Sequence, residues 1–293
     1  MLVLSESDWT ARRAAHEPRV DGWIAPHLRR RRRGERHPVW DFLFEYYSYR
    51  PAQLRRWHPG FGAVLDGPAA DGYLRFAGYR RTPDGIGLDL GAFDERRLAA
   101  ARWVRRLLIA TASRPGQFGC FGLHEWAMVY RLPVDRIRHA TQPLRFPRER
   151  IAEIVDEQRL ACTHFDAFRF FTPPARPRNA LQPTRPDQAT LEQPGCLHAN
   201  MDLYKWAYKL APFIGSELIA DAFALAAEIR ALDMRASPYD LTALGYRPVP
   251  IETVQGRVEY ARGQREFADR AAVLRRRLLG EVDRLLAAAA VSS

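Results

Sequence analysis

Lysine is almost missing from this chain. Of its 45 basic residues only Lys205 and Lys209 are lysines, so arginine fills the ordinary surface roles and an amine stands out for its shiftable pKa and nucleophilicity. The two lie four residues apart, on one helical face, where each cation lowers the pKa of the other. Lys205 is therefore a candidate Schiff-base amine. Cysteine is scarce as well. Three in 293 residues is an odd number in a long chain and argues against a disulfide scaffold. No apolar run approaches 18 residues, which excludes a membrane-spanning helix. The opening MLVLSESDWTARRAAHEPR has no apolar stretch of the kind a secretory signal carries, and a cytoplasmic protein is the expectation. Also missing are G-x-x-x-x-G-K-[ST], G-x-G-x-x-G and G-x-S-x-G, leaving P-loop hydrolysis, nicotinamide chemistry and serine hydrolysis unsupported.

What the chain has in excess is positive charge: a formal +11 and a pI near 10.0. That balance suits a polyanion such as DNA or RNA, because neutralised phosphates release counterions. It also follows from the Arg-, Ala- and Pro-rich composition that a GC-rich genome encodes. With 47% apolar and 27% charged residues, the chain is that of a folded protein able to build a sizeable core.

Periodicity predicts a mainly α fold: one helical domain over 1–293 with a small antiparallel sheet at about residues 61–92. A helical N-terminal arm covers 7–33, capped by Ser7 and closing on Arg29, Arg30, Arg31, Arg32 and Arg33, where cations suit the helix dipole. That arginine cluster is a candidate phosphate contact. An aromatic-rich helix is expected from Pro38 to Pro51, carrying Tyr46 and Tyr47, followed by Arg55, Arg56 and Trp57. Charge interleaved with rings suits base stacking and backbone contact, and equally a helix core with a basic rim. Turn dipeptides at 66–67, 71–72 and 84–85 separate GAVLDG, GYLRFAGYRR and GIGLDLGAF, predicting two or three antiparallel strands. Helices follow at 94–113, 150–160 and 197–209, and a helical C-terminal part covers 213–290, with long helices at 216–233 and 256–290.

The central segment 119–209 bears the chemistry. His124 and Glu125 sit near the start of a short helix after Cys120. THFDAFRFF reads as a strand bearing Asp166 and Arg169. The Pro-rich stretch from Thr172 to Gly195 reads as one long irregular loop of the sort that forms lids, and includes Arg178 and Asn179. Asn200, Asp202, Lys205 and Trp206 lie on the next helix. If extended, each C-x-H pair presents sulfur and imidazole on one face, so Cys162, His164, Cys196 and His198 are candidate ligands of a Cys2His2 zinc site. Asp166, surrounded by phenylalanines, has a raised pKa unless Arg169 or another cation pairs with it. Glu125, Asp202 and Asp233 are the other carboxylate candidates.

Over HPVWDFLFEYYSYRPAQLRRWHPG, CFGLHEWAMVYRLP, THFDAFRFFTPPARPRNALQPTR and LHANMDLYKWAYKL, the chain resembles actinobacterial proteins commonly labelled 3-methyladenine DNA glycosylase. The resemblance covers most of the length and implies a base-excision hydrolase that binds DNA and flips a base, with no cofactor required. It implies Asp166 or Glu125 as the carboxylate at the oxocarbenium ion, and Tyr46, Tyr47, Trp126 and Trp206 as rings for the cationic base. No Gly-rich L-P-G-[VI]-G hairpin is present, EQPG at 192–195 being the nearest approach, so no catalytic residue carries across by motif. Two further readings stay open. One is a metal- or acid/base-dependent enzyme acting on a small molecule. The other is a non-catalytic basic protein that binds nucleic acid.

Overall fold

The long N-terminal helix shows how the sequence sets the architecture. In a computed structural model, which describes residues 1–133, 136–137 and 142–291, helix α1 spans Glu6–Arg33. The site-bearing segment 119–209 is therefore described except at 134–135 and 138–141. Buried Trp9, His16, Val20, Ile24 and His27 recur along one face of α1 at helical spacing. Its N-cap is Ser5 rather than Ser7: the Ser5 hydroxyl accepts from the Asp8 amide at 3.2 Å. Gly34 ends the helix in the left-handed conformation, φ 69°, which a side chain would disfavour.

The chain is mainly helical and folds as two compact units. Unit 1 comprises residues 1–108, 203–224 and 274–293; unit 2 comprises 109–202 and 225–273. Unit 1 contains the sheet, which is mixed rather than purely antiparallel. Strands β2 (Ala63–Leu65), β3 (Tyr79–Thr82) and β4 (Gly85–Leu88) fall within the expected span, and β1 (Leu2–Leu4) adds a fourth. The order is β1-β2-β4-β3, with β1 parallel to β2 and the other pairs antiparallel. Of the three Asp-Gly turns only 84–85 makes a hairpin. A Cβ on Gly85 would stand 2.2 Å from the Leu65 carbonyl oxygen, so glycine is required there by close approach as well as by the turn. The GYLRF stretch is not a strand, because a 3-10 helix covers Pro68–Arg75.

The aromatic helix expected from Pro38 to Pro51 shrinks to α2, Phe42–Glu45. Pro51 disfavours helix at Arg50, and α3 starts afresh at Pro51–Arg55. The tyrosines after α2 pack as rings instead: Tyr47 meets Tyr204 edge-on at 5.2 Å and Tyr49 stacks on Tyr208 at 4.9 Å. Of the remaining helices, α4 (Glu95–Ala112), α5 (Leu123–Ala127), α6 (Arg148–Glu157), α9 (Leu197–Lys209), α10 (Ser216–Arg235) and α11 (Val254–Val291) fall where expected, whereas α7 (Phe165–Phe168) and α8 (Gln188–Leu191) do not. Two departures concern unit 2. THFDAFRFF holds a helical turn, α7, rather than a strand; Asp166, Ala167 and Phe168 are buried in succession on it. The loop after Thr172 holds a 3-10 turn at Arg176–Arg178 as well as α8. It is pinned by Asn179, whose side chain accepts from the Cys162 amide at 2.8 Å and donates to the Cys162 carbonyl at 2.9 Å. Among the described residues no helix is long and apolar enough to cross a membrane.

Candidate metal centre

Unit 2 buries a cluster of polar side chains drawn from six segments. The first enters α5 through Phe121 and Gly122, both with positive φ (48° and 72°). A side chain at Gly122 would meet the Tyr260 ring at 3.2 Å. This bent entry sets the Cys120 sulfur 3.7 Å from His124 Nδ1. The opposite nitrogen, Nε2, lies 3.0 and 3.1 Å from the two carboxylate oxygens of Asp233 on α10. Asp233 is held in turn by Tyr260, whose hydroxyl donates across 3.4 Å, and by Arg230, 3.3 Å away and one helical turn earlier. Arg230 also donates to Glu125 at 2.6 Å, so the His-Glu pair of α5 is tied to α10 at both members.

A second set lies on the other three segments. His164 Nδ1 approaches Glu192 at 3.1 Å and its Nε2 approaches Asp202 at 3.6 Å. Glu192 is positioned by Gln188, which donates to it at 2.5 Å from one turn earlier on α8. His198 joins the two sets: its ring meets His124 edge-on at 4.5 Å and stacks with His164 at 5.4 Å and 25°. Two groups thus have ligand atoms mutually within 4.8 Å, His124/His198/Asp233 and His164/Glu192/Asp202, and all six residues are buried.

Burial governs the electrostatics. Taken alone it would strip His124 of its proton, but the Asp233 carboxylate reverses this and raises the imidazole well above its usual pKa. Burial would likewise raise Asp233, and His124 holds it down instead. His198 moves the other way, lowered by burial and by the neighbouring His124 charge. One imidazole is therefore charged and the next is a neutral donor, set by which of them holds the carboxylate. Burial also pushes the thiols of Cys162 and Cys196 up, so both are protonated, small and inert in the absence of an ion.

Beside this cluster is a cavity of about 300 Å³, lined by Cys120, Cys162, Cys196, His124, His198 and Tyr260 among others. The fold thus brings all three cysteines to one cavity. The expected Cys2His2 set is not what forms. Cys162, Cys196 and His198 line the cavity, but His164 turns to Glu192 and Asp202, and no cysteine belongs to either ligand group among the described residues. The physical reason is local: Cys162 and His164 lie in the non-helical stretch before α7, whereas His198 stands on α9, so the two C-x-H pairs do not share a geometry.

The other anticipated residues take various places. Asp166 is buried but paired, with Arg185 at 3.0 Å and Arg169 at 3.2 Å, so it is not the isolated carboxylate the phenylalanines suggested. Asn200 donates to the Pro194 carbonyl at 2.9 Å. Arg178 pairs with Asp156 at 2.9 Å. Trp126 is core, its indole N–H donating to the Ala236 carbonyl at 2.8 Å. In unit 1, Trp206 is buried with the amines of Lys205 and Lys209 at 4.5 and 5.3 Å from its ring centroid. Arg29, Arg31, Arg32 and Arg33 are exposed, whereas Arg30 is held by Asp41 at 2.6 Å. Tyr47 is buried in unit 1, and Tyr46 stacks on Phe42 at 4.8 Å.

Glu192, Arg230 and Tyr260 escaped the sequence reading, and Asp233 was only one carboxylate among several. The available signal was polar side chains on otherwise apolar helix faces, above all Arg230 and Asp233, three apart amid the Ala, Leu and Ile of α10. No family model, curated protein or solved structure matches the chain.

Proposed function

We propose that the protein is a metal-dependent enzyme acting on a small molecule admitted to the cavity of unit 2. The observation that carries this is the pair of buried ligand sets linked through the His198 ring. Two imidazoles with one carboxylate suit Fe(II) or Zn(II), and one imidazole with two carboxylates suits harder ions such as Mn(II). When bound, such an ion supplies Lewis acidity or an activated water. The chain's own contribution is orientation. Tyr260 and Arg230 fix Asp233, Gln188 fixes Glu192, and these outer partners preset the ligands. A cavity of about 300 Å³ lies at the small end of ligand sites and takes a compact substrate or one reacting end of a larger one.

A second reading rests on Cys120. Its sulfur is near His124, which is in turn oriented by Asp233, the arrangement of a nucleophile, its base and the group that orients the base. Elemental analysis of the protein as purified, and after reconstitution with Fe(II), Mn(II) or Zn(II), separates the readings. Stoichiometric metal that His198→Ala abolishes supports the metal enzyme. No metal, with His124-dependent alkylation of Cys120, supports the thiol enzyme. Release of free 3-methyladenine from methylated duplex DNA by metal-free protein would overturn both and restore the glycosylase reading.

A further inference from the structure

Unit 1 contains a cavity of about 1050 Å³ whose chemistry differs from that of the buried centre. Five arginines line it, Arg13, Arg55, Arg56, Arg75 and Arg97, against a single carboxylate, Glu17, among the described lining residues. Glu17 is already engaged by Arg55 at 3.0 Å, and Arg55 also pairs with Asp21 at 2.8 Å. The acidic partner is thus used up within the wall. Arg56 and Arg75 instead place their guanidiniums 4.2 and 4.8 Å from the centroid of one ring, Phe76. Arg13 lies 5.1 Å from the Trp9 ring. A guanidinium lying against a ring can still offer N–H groups to a phosphate, and Arg13 also hydrogen-bonds the Tyr73 hydroxyl.

Six rings, those of Tyr49, Trp57, His58, Tyr73, Phe76 and Tyr208, contribute to the rest of the wall beside small and polar residues. Tyr49 and Tyr208 stack at 4.9 Å with 14° between planes. Tyr73 donates to the Trp57 carbonyl at 3.1 Å. His58, buried beside Arg56, is pushed down to about 4 by burial and then by that arginine, so it stays neutral and adds no competing charge near pH 7. A small anion alone would leave most of this volume unfilled. A nucleic-acid duplex is gripped by cations spread along an open face, whereas these cations line one cavity together with rings.

We propose that this cavity binds a nucleoside phosphate, its phosphate taken by Arg13, Arg56 and Arg75 and its base packed against the aromatic wall. A free nucleotide and a nucleotide within a single strand offer the same chemistry. Stacking on rings and guanidinium planes recognises the base in either form. The site stands independently of the metal reading, since none of its residues belongs to the buried ligand sets.

The test is calorimetric titration of the full-length protein at physiological salt with ATP, AMP, adenosine, tripolyphosphate and a short oligothymidylate. The expected result is one saturable site for a nucleotide or the oligonucleotide. Adenosine and tripolyphosphate should each bind at least about tenfold more weakly. Arg56→Ala and Arg75→Ala should each weaken the nucleotide by about tenfold, while Arg102→Ala, on the exposed face of α4, leaves it unchanged. Arg56 and Arg75 are both exposed, so circular dichroism should show the variants folded. Tighter binding of the oligonucleotide than of AMP, with the same arginine dependence, assigns the phosphate to a strand. Equal binding of tripolyphosphate and ATP, indifference to Arg56→Ala and Arg75→Ala, or no binding of any probe overturns the proposal.

Discussion

The two units handle charge in opposite ways. Unit 2 takes carboxylates and imidazoles out of water and fixes each by a short-range partner. Unit 1 leaves arginines at the rim of a wide cavity, resting on rings. The contrast teaches that net charge is a poor guide to where chemistry sits in this molecule. The formal +11 is displayed on exposed side chains such as those ending α1. The groups able to hold an ion are a few buried residues that contribute little to the total.

The sharpest way to break the contrast is to remove the Arg230 guanidinium, buried against Glu125 and Asp233 in unit 2. Arg230→Met leaves Glu125 and Asp233 interred without it, and we expect a loss of about 3–5 kcal/mol in denaturant unfolding. A loss below about 1 kcal/mol would show that the acidic groups do not depend on that cation.

Unit 1 has one comparable knot, and it gives a smaller effect. Asp41 accepts from His27 at 2.9 Å, from Arg30 at 2.6 Å and from the His37 amide at 2.7 Å. Burial alone would raise its carboxyl, but these donors more than reverse that and hold it below the ordinary range. The stability it contributes is therefore present above the unfolded value of about 4 and is lost as pH falls through the lower folded value. Asp41→Asn should cost about 2 kcal/mol at neutral pH. The gap to the parent protein, followed by urea unfolding from pH 7 to pH 3, should narrow on the acid side. A gap that stays constant over that range would contradict the assignment.

The smallest effect is expected at the cavity rim. Arg56→Ala removes an exposed side chain with a ring contact and should change stability by no more than about 0.5 kcal/mol, in contrast to its effect on ligand affinity. A thermal shift equivalent to 2 kcal/mol would make Arg56 a structural residue and blur the difference between the units.

Much of the helical frame was legible because it is local. α4, α9, α10 and α11 follow from apolar spacing, and the β3–β4 hairpin from Asp84-Gly85. β1 was not, since Leu2–Leu4 pairs with residues some sixty positions away and nothing in three apolar residues announces a partner. The site shows the same divide. His124, His198, Asp202 and Cys162 were visible as chemically able side chains. That His124 meets Asp233, 109 positions on, and that His164 turns to Glu192 rather than to Cys196, are consequences of tertiary packing that no spacing encodes. Asp166 misled for the same reason: one of its partners, Arg185, is nineteen residues distant.

The most direct test of the central claim is titration of the metal-free protein with Co(II), followed by absorption spectroscopy. The ligand sets contain imidazoles and carboxylates and no cysteine. The account therefore predicts saturable binding with visible ligand-field bands and no thiolate charge-transfer band. The spectrum should be lost in His124→Ala and His198→Ala and retained in Cys162→Ala. Intense thiolate bands, or no saturable binding at all, would contradict it.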